Sequence, residues 1–288
     1  MNHLQPMTRH LATLLLCLLC GSHVAAQTYE QLIERALGAA SHDSLPQAEQ
    51  LFRQALKASP NDYRNALVFS NLGKIQERQY WQDPRQTKKA EEAIESYTLA
   101  LNITPEAIPL IQDRATLYMR LEQWGKAVMD LTTILDLTPD NTDMRNYRAY
   151  CYHKQRLFTE ARTDYTRILE HQPEHRLALL GMAMLEHDTG HLSEALQRIT
   201  LMVEASPTDA ELYSIRSGMY AENKQAELAI IDLDRAILLD SKNTNYLLAR
   251  AYLHLQQGNR RLALTDFEQA IALGVPRASL KKELKACR

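Results

Sequence analysis

The chain has 288 residues, with 33 Lys and Arg against 35 Asp and Glu, a formal net charge of −2 and 45% hydrophobic residues. That near-balance argues against nucleic acid as a partner, because such a partner calls for a strongly basic face. Beyond residue 26 no stretch is long and apolar enough to cross a bilayer, so the mature chain is expected to carry no integral membrane segment.

Residues 1–26 read as a cleaved export signal. Arg9 supplies a positive start, "LATLLLCLLC" (11–20) an apolar run of ten, and "VAA" (24–26) small residues for a signal peptidase, which places cleavage before Gln27. Leu16 and Leu19 precede Cys17 and Cys20 where a lipid-anchored chain would carry a small residue. The expected location is exported, with the periplasm favoured. Cleavage removes only Arg9 among charged residues and leaves Cys151 and Cys287.

The rest of the chain repeats itself. Seven segments align: "LFRQALKASPN" (51–61), "SYTLALNITPE" (96–106), "DLTTILDLTPD" (130–140), "DYTRILEHQPE" (164–174), "RITLMVEASPT" (198–208), "DLDRAILLDSK" (232–242) and "DFEQAIALGVP" (266–276). The first interval is 45 residues and every later one 34. Three residues before each segment stands an alanine, from Ala48 to Ala263, and further upstream a second small residue: Ala36, Gly73, Ala115, Ala149, Ala183, Ser217 and Ala251. Each unit predicts two helices. The small residues let the backbones approach, and a large residue (Phe52, Tyr97, Leu131, Tyr165, Ile199, Leu233, Phe267) fills the gap beside them. A proline then stops the second helix, except where Ser241 and Val275 replace it.

This spacing resembles the tetratricopeptide repeat, which has small residues at positions 8 and 20, a large one at 24 and proline at 32. The resemblance implies an all-α, right-handed α-solenoid of seven helix-turn-helix units over residues 27–277, with repeats 29–62, 63–107, 108–141, 142–175, 176–209, 210–243 and 244–277. In "ASLKKELKACR" (278–288), Leu280, Leu284 and Cys287 share one helical stripe, which predicts a capping helix. Each repeat of a solenoid touches only its neighbours, so Cys151 and Cys287 are expected to remain free thiols within one molecule.

Repeat 2 is eleven residues too long. Eight of these fall in "QYWQDPRQTKKA" (79–90), between its two helices. Asp83, Pro84 and Gln86 sit like an N-cap, a first-turn proline and a capping-box partner, so the second helix is expected to start at Pro84. Tyr80 and Trp81 would form the corner beneath it. With Arg85 they make the candidate edge feature.

Positions 7 and 23 vary together. Arg114 accompanies Asp130, Arg148 Asp164, Arg216 Asp232 and Arg250 Asp266, while repeat 5 has Met182 with Arg198. Pairing within each repeat leaves no orphan, so these are expected to be structural ion pairs.

Catalytic signatures are missing: no glycine-rich phosphate loop, GxSxG, HExxH or CxxC occurs, and "SLKK" (279–282) has no companion motif. No enzymatic activity, cofactor or metal is expected. His171 with His175 and His187 with His191 have chelating spacing, but Pro173 and Gly190 interrupt them; only His153, His187 and His191 lie towards one edge. What remains is a surface. Positions 4, 7, 8 and 11 of the first helix face its partner, leaving 2, 5, 9, 12 and 13 free. The resemblance implies that this stripe lines a concave groove for extended peptides or partner helices. Asn146, Tyr150 and His153 of repeat 4 and Leu180, Met184 and His187 of repeat 5 are its candidate contacts, since soft and aromatic side chains suit a protein partner. The lysine-and-asparagine carboxylate clamp of some co-chaperones of this family is not matched. The expected function is therefore a non-enzymatic scaffold or adaptor for a protein or peptide partner. The alternative is a structural component of an envelope or secretion assembly that uses edge contacts, and a metal-binding protein is the less favoured third reading.

Overall fold

The computed structural model describes residues 28–288, and the export-signal reading of residues 1–26 lies outside them. The described residues are helical, with no strand among them. They fall into two compact units that divide between Leu121 and Glu122. The first holds α1 (Tyr29–Ser41), α2 (Leu45–Ala58), α3 (Asn65–Gln82), α4 (Thr87–Ile103) and α5 (Ile108–Arg120). The second holds α6 (Trp124–Leu137), α7 (Thr142–Lys154), α8 (Phe158–His171), α9 (Arg176–Asp188), α10 (Leu192–Ala205), α11 (Ala210–Glu222), α12 (Ala226–Leu239), α13 (Thr244–Gln256), α14 (Arg260–Ala272), a 3-10 turn (Arg277–Leu280) and α15 (Lys281–Ala286).

Within each unit consecutive helices pack on one another, and residue size decides where they touch. The alanines at position 20 (Ala48, Ala93, Ala127, Ala161, Ala195, Ala229 and Ala263) have no exposed surface, and the large residues at position 24 are at most 2% exposed. At Gly73 the approach is too close for a side chain: a Cβ there would lie 2.7 Å from the Tyr97 ring. Burying each large side chain contributes on the order of 2 kcal/mol. That gain repeats along the chain, and it makes a stack of units stable where one hairpin is not.

The chain reverses by two devices. Ser59, Thr104, Thr138, Gln172 and Ser206, each followed by proline, adopt φ between −128° and −141° with ψ near 70–77°. Proline excludes the helical conformation from the residue before it. Asp240 takes the same geometry (φ −138°, ψ 85°) before Ser241, so neighbouring repeats impose the turn even without the proline. Inside the repeats the turn uses one left-handed residue: Asp43, Glu122, Arg156, Gly190, Lys224 and Gly258, with φ from 56° to 85°.

Repeat 2 differs from the sequence expectation. Its second helix starts at Thr87, not Pro84, and its first helix runs on through Tyr80 and Trp81 to Gln82. Asp83 is the C-cap of α3 in an extended conformation (φ −143°), as a residue before proline must be. Its carboxylate accepts from the Arg85 backbone N–H, Arg85 Nε and Gln86 Nε2, so it closes a turn instead of capping α4. The extra turn of α4 carries Lys89, whose Nζ donates to Glu49 of α2 at 2.8 Å and to Glu92 at 3.0 Å. The insertion thereby ties α4 to α2.

The end of the chain is closed by packing. Gly274, with φ 108°, lets the Val275 N–H reach the Ala270 carbonyl and its own N–H reach that of Ile271, a Schellman stop. Leu280, Leu284 and Cys287 are then buried against Ala251, Ala263 and Phe267.

Candidate functional site

Two sets of residues were expected to matter: the arginine ladder that links successive repeats, and the face of the first helices that carries the candidate contacts. In the ladder Arg148 clasps Asp164 (Nε–Oδ2 2.8 Å, Nη2–Oδ1 2.9 Å), Arg216 clasps Asp232 (2.8 and 2.7 Å) and Arg250 clasps Asp266 (2.9 and 2.7 Å). Each arginine also reaches back to position 25 of the preceding repeat: Arg148 Nη1 to Thr132, Arg216 Nη1 to Thr200 and Arg250 Nη1 to Asp234. One guanidinium therefore fastens two successive second helices. Arg114, in the first unit, donates to Thr98 at 2.9 Å, and Asp130 is buried in the second unit. Hydrogen bonding to the buried aspartates raises the pKa of Arg148, Arg216 and Arg250, against the opposing cost of burial. In repeat 5 Arg198 instead pairs with Glu186 at position 11 (2.6 Å). Repeat 2 uses the same two positions, with Ser96 Oγ 2.7 Å from the Gln76 amide. That parallel was the available signal for Glu186.

On the free face, Tyr150 is 39% exposed, with Trp124 edge-on at 5.8 Å and Lys154 Nζ 5.3 Å from its ring centroid. The indole and the ammonium hold the ring at the surface. Asn146, one turn earlier, is buried, and its Oδ1 has no hydrogen-bond partner among the described residues. Leu180 and Met184 are half-buried against the core of Ala183, Ile199, Leu212 and Met219, so each offers part of its surface.

The histidines form a chain across three first helices. His153 Nε2 lies 3.0 Å from Asp188 Oδ2, His187 Nδ1 2.9 Å from Asp188 Oδ1, and His187 Nε2 2.6 Å from Glu222 Oε2. Both nitrogens of His187 face carboxylates, so the doubly protonated ring suits the site. Its pKa is raised by the hydrogen bond to Asp188 and then that to Glu222, with desolvation opposing. Glu222 was not picked from the sequence, although it shares position 13 with Lys154 and Asp188. His191 turns to Thr189 Oγ1, and His175 Nδ1 caps α9 by accepting from the Ala178 N–H. No group of three or more His, Cys, Asp or Glu side chains poised to share a metal occurs among the described residues. Cys151 and Cys287 are free and buried; burial pushes the Cys151 thiol up to about 12, far from a reactive thiolate.

The edge feature in the first unit is satisfied locally. Trp81 donates to Glu77 and lies 4.7 Å from the Arg120 guanidinium, Tyr80 packs on Trp81 at 4.8 Å, and Arg85 is engaged by Asp83. Among the described residues, no helix is long and apolar enough to cross a membrane.

Two family models described as tetratricopeptide repeat match, over residues 85–150 and 154–210. A crystal structure of a tetratricopeptide repeat protein from Parabacteroides merdae is 28% identical, with a TM-score of 0.69 over 90% of this chain and 98% of that one. Yeast Tom70 is similar at 16% identity and a TM-score of 0.54, over 92% of this chain and 64% of its own. MamA from Desulfovibrio magneticus is similar at 17% identity and a TM-score of 0.50, over 58% and 94%. At those identities the last two speak to fold alone. No curated protein matches the sequence.

Proposed function

Because this chain belongs to the tetratricopeptide-repeat family and is an all-α repeat solenoid, we propose that it is an exported adaptor whose first-helix face in repeats 4 and 5 binds a protein or peptide partner. Repeats of this family serve as protein-interaction scaffolds, which supports the general reading. The specific one rests on a single observation. At repeat 4 a buried Asn146 oxygen without a partner lies one turn from an exposed Tyr150 ring held by Trp124 and Lys154. A buried acceptor left unpaired costs about 1–3 kcal/mol, and a partner whose docking turns the Asn146 side chain outward would recover it. Tyr150 and Met184 supply apolar contact area at little entropic cost.

Recovery of partners from the organism's own envelope tests this. Replacing Tyr150, Met184 and His187 together with alanine abolishes recovery while helicity is kept. Unchanged recovery would reject the face and favour edge contacts. Export rests on residues 1–26, and N-terminal sequencing of the mature chain is expected to begin at Gln27.

A further inference from the structure

Repeat 5 breaks the arginine ladder, and a cleft lies where the break occurs. In repeats 4, 6 and 7 an arginine from position 7 covers the aspartate at position 23. In repeat 5 position 7 is Met182, too short and uncharged to do so, and Arg198 at position 23 turns away to Glu186. Beside Arg198 opens a cleft of about 800 Å³ floored by Leu179, Met202 and Leu212. At its rim Leu201 is 58% exposed. Both arginines of the cleft are committed: Arg198 to Glu186, and Arg176 to Asp209 and Glu211, each at 2.8 Å. Glu174 and Glu194 are exposed, and no lysine or arginine pairs with either among the described residues. The uncompensated charge of the cleft is therefore negative. Glu174 precedes α9 and Glu194 stands in the first turn of α10, so they mark opposite ends of an antiparallel pair. For a helix of 13 residues that separation is about 20 Å.

We propose that this cleft docks a partner segment that lays aliphatic side chains on Leu179, Leu201 and Met202 and carries a lysine or arginine at each end. An extended chain covers the distance with about six residues at roughly 3.3 Å each. The surface lies beside the second helix of repeat 5. It uses none of the residues of the first-helix face, so it stands or falls independently of the function proposed above.

The test is fluorescence anisotropy on the full chain with a labelled peptide of about six residues, lysine at each end and leucines between. A control peptide carries glutamate at the ends. The lysine-ended peptide is expected to bind saturably, and the glutamate-ended one about tenfold more weakly, the equivalent of two exposed ion pairs. Leu201→Lys, at the exposed rim of the cleft, replaces an aliphatic contact with a like charge and is expected to weaken binding of the lysine-ended peptide at least tenfold with the melting temperature unchanged. Glu174→Gln with Glu194→Gln, which leaves the core untouched, is expected to bring the two peptides to equal affinity. Equal binding of both peptides by the unmodified chain, or binding unchanged by Leu201→Lys, overturns the proposal. So does loss of binding on Tyr150→Ala, which would place the peptide on the first-helix face.

Discussion

Arg148 meets Asp164 edge to edge, with two parallel hydrogen bonds of 2.8 and 2.9 Å between α7 and α8. The Asp164 side chain is 5% exposed, so its charge depends on that guanidinium, with Arg145 a weaker neighbour at 3.5 Å. Arg148→Met strands the carboxylate and is expected to destabilise the chain by about 3 kcal/mol, a typical cost for removing one partner of a buried pair. Arg148→Met with Asp164→Leu removes both charges and recovers most of that loss. Urea unfolding of the two variants checks it; a double variant no more stable than the single would show that the pair carries no such role.

Protonation should strengthen the tie between repeats 4, 5 and 6. The raised pKa of His187 means that the folded chain holds this proton more tightly than the unfolded chain. The stabilisation is then fully present below the unfolded value of about 6.5 and is lost as pH rises through the higher folded value. The facing groups are Asp188 on its own helix, His153 on α7 and Glu222 on α11, with His191 at the start of α10 turned to Thr189. The melting-temperature advantage of the unmodified chain over His187→Gln should be largest near about pH 6 and small near about pH 9. An advantage that does not change with pH would contradict the clamp.

The left-handed turn residues make an opposed pair. Gly258 holds φ 79° without a side chain, whereas Lys224 holds φ 59° with one. Gly258→Ala is expected to cost about 1 kcal/mol and Lys224→Gly to gain a few tenths, because only glycine takes this conformation without a Cβ penalty. Thermal unfolding of both variants checks the sign, and the same sign for both would refute it.

What could be read from the sequence followed from residue size and repeat register. The alanines at position 20 and the large residues at position 24 occupy the core because a close helix crossing admits only those sizes. The start of α4 was not readable, because Asp83-Pro84 serves equally as a helix start or as a stop followed by a turn. The continuation of α3 settles it: Trp81 bonds Glu77 one turn back and meets Arg120, 39 positions later, which local pattern does not encode. The stripe of candidate contacts followed from the frame. The depth of Asn146 and the meeting of His187 with Glu222 depend on how neighbouring first helices pack, and single-repeat periodicity carries none of that.

The most direct measurement is site-specific photo-crosslinking in the organism's own envelope. A photoreactive residue replaces Tyr150 on the first-helix face or Leu238, an exposed side chain (72%) of the second helix of repeat 6. A discrete protein adduct is expected from position 150 and none from position 238. An adduct from position 238 with none from 150 would contradict that expectation.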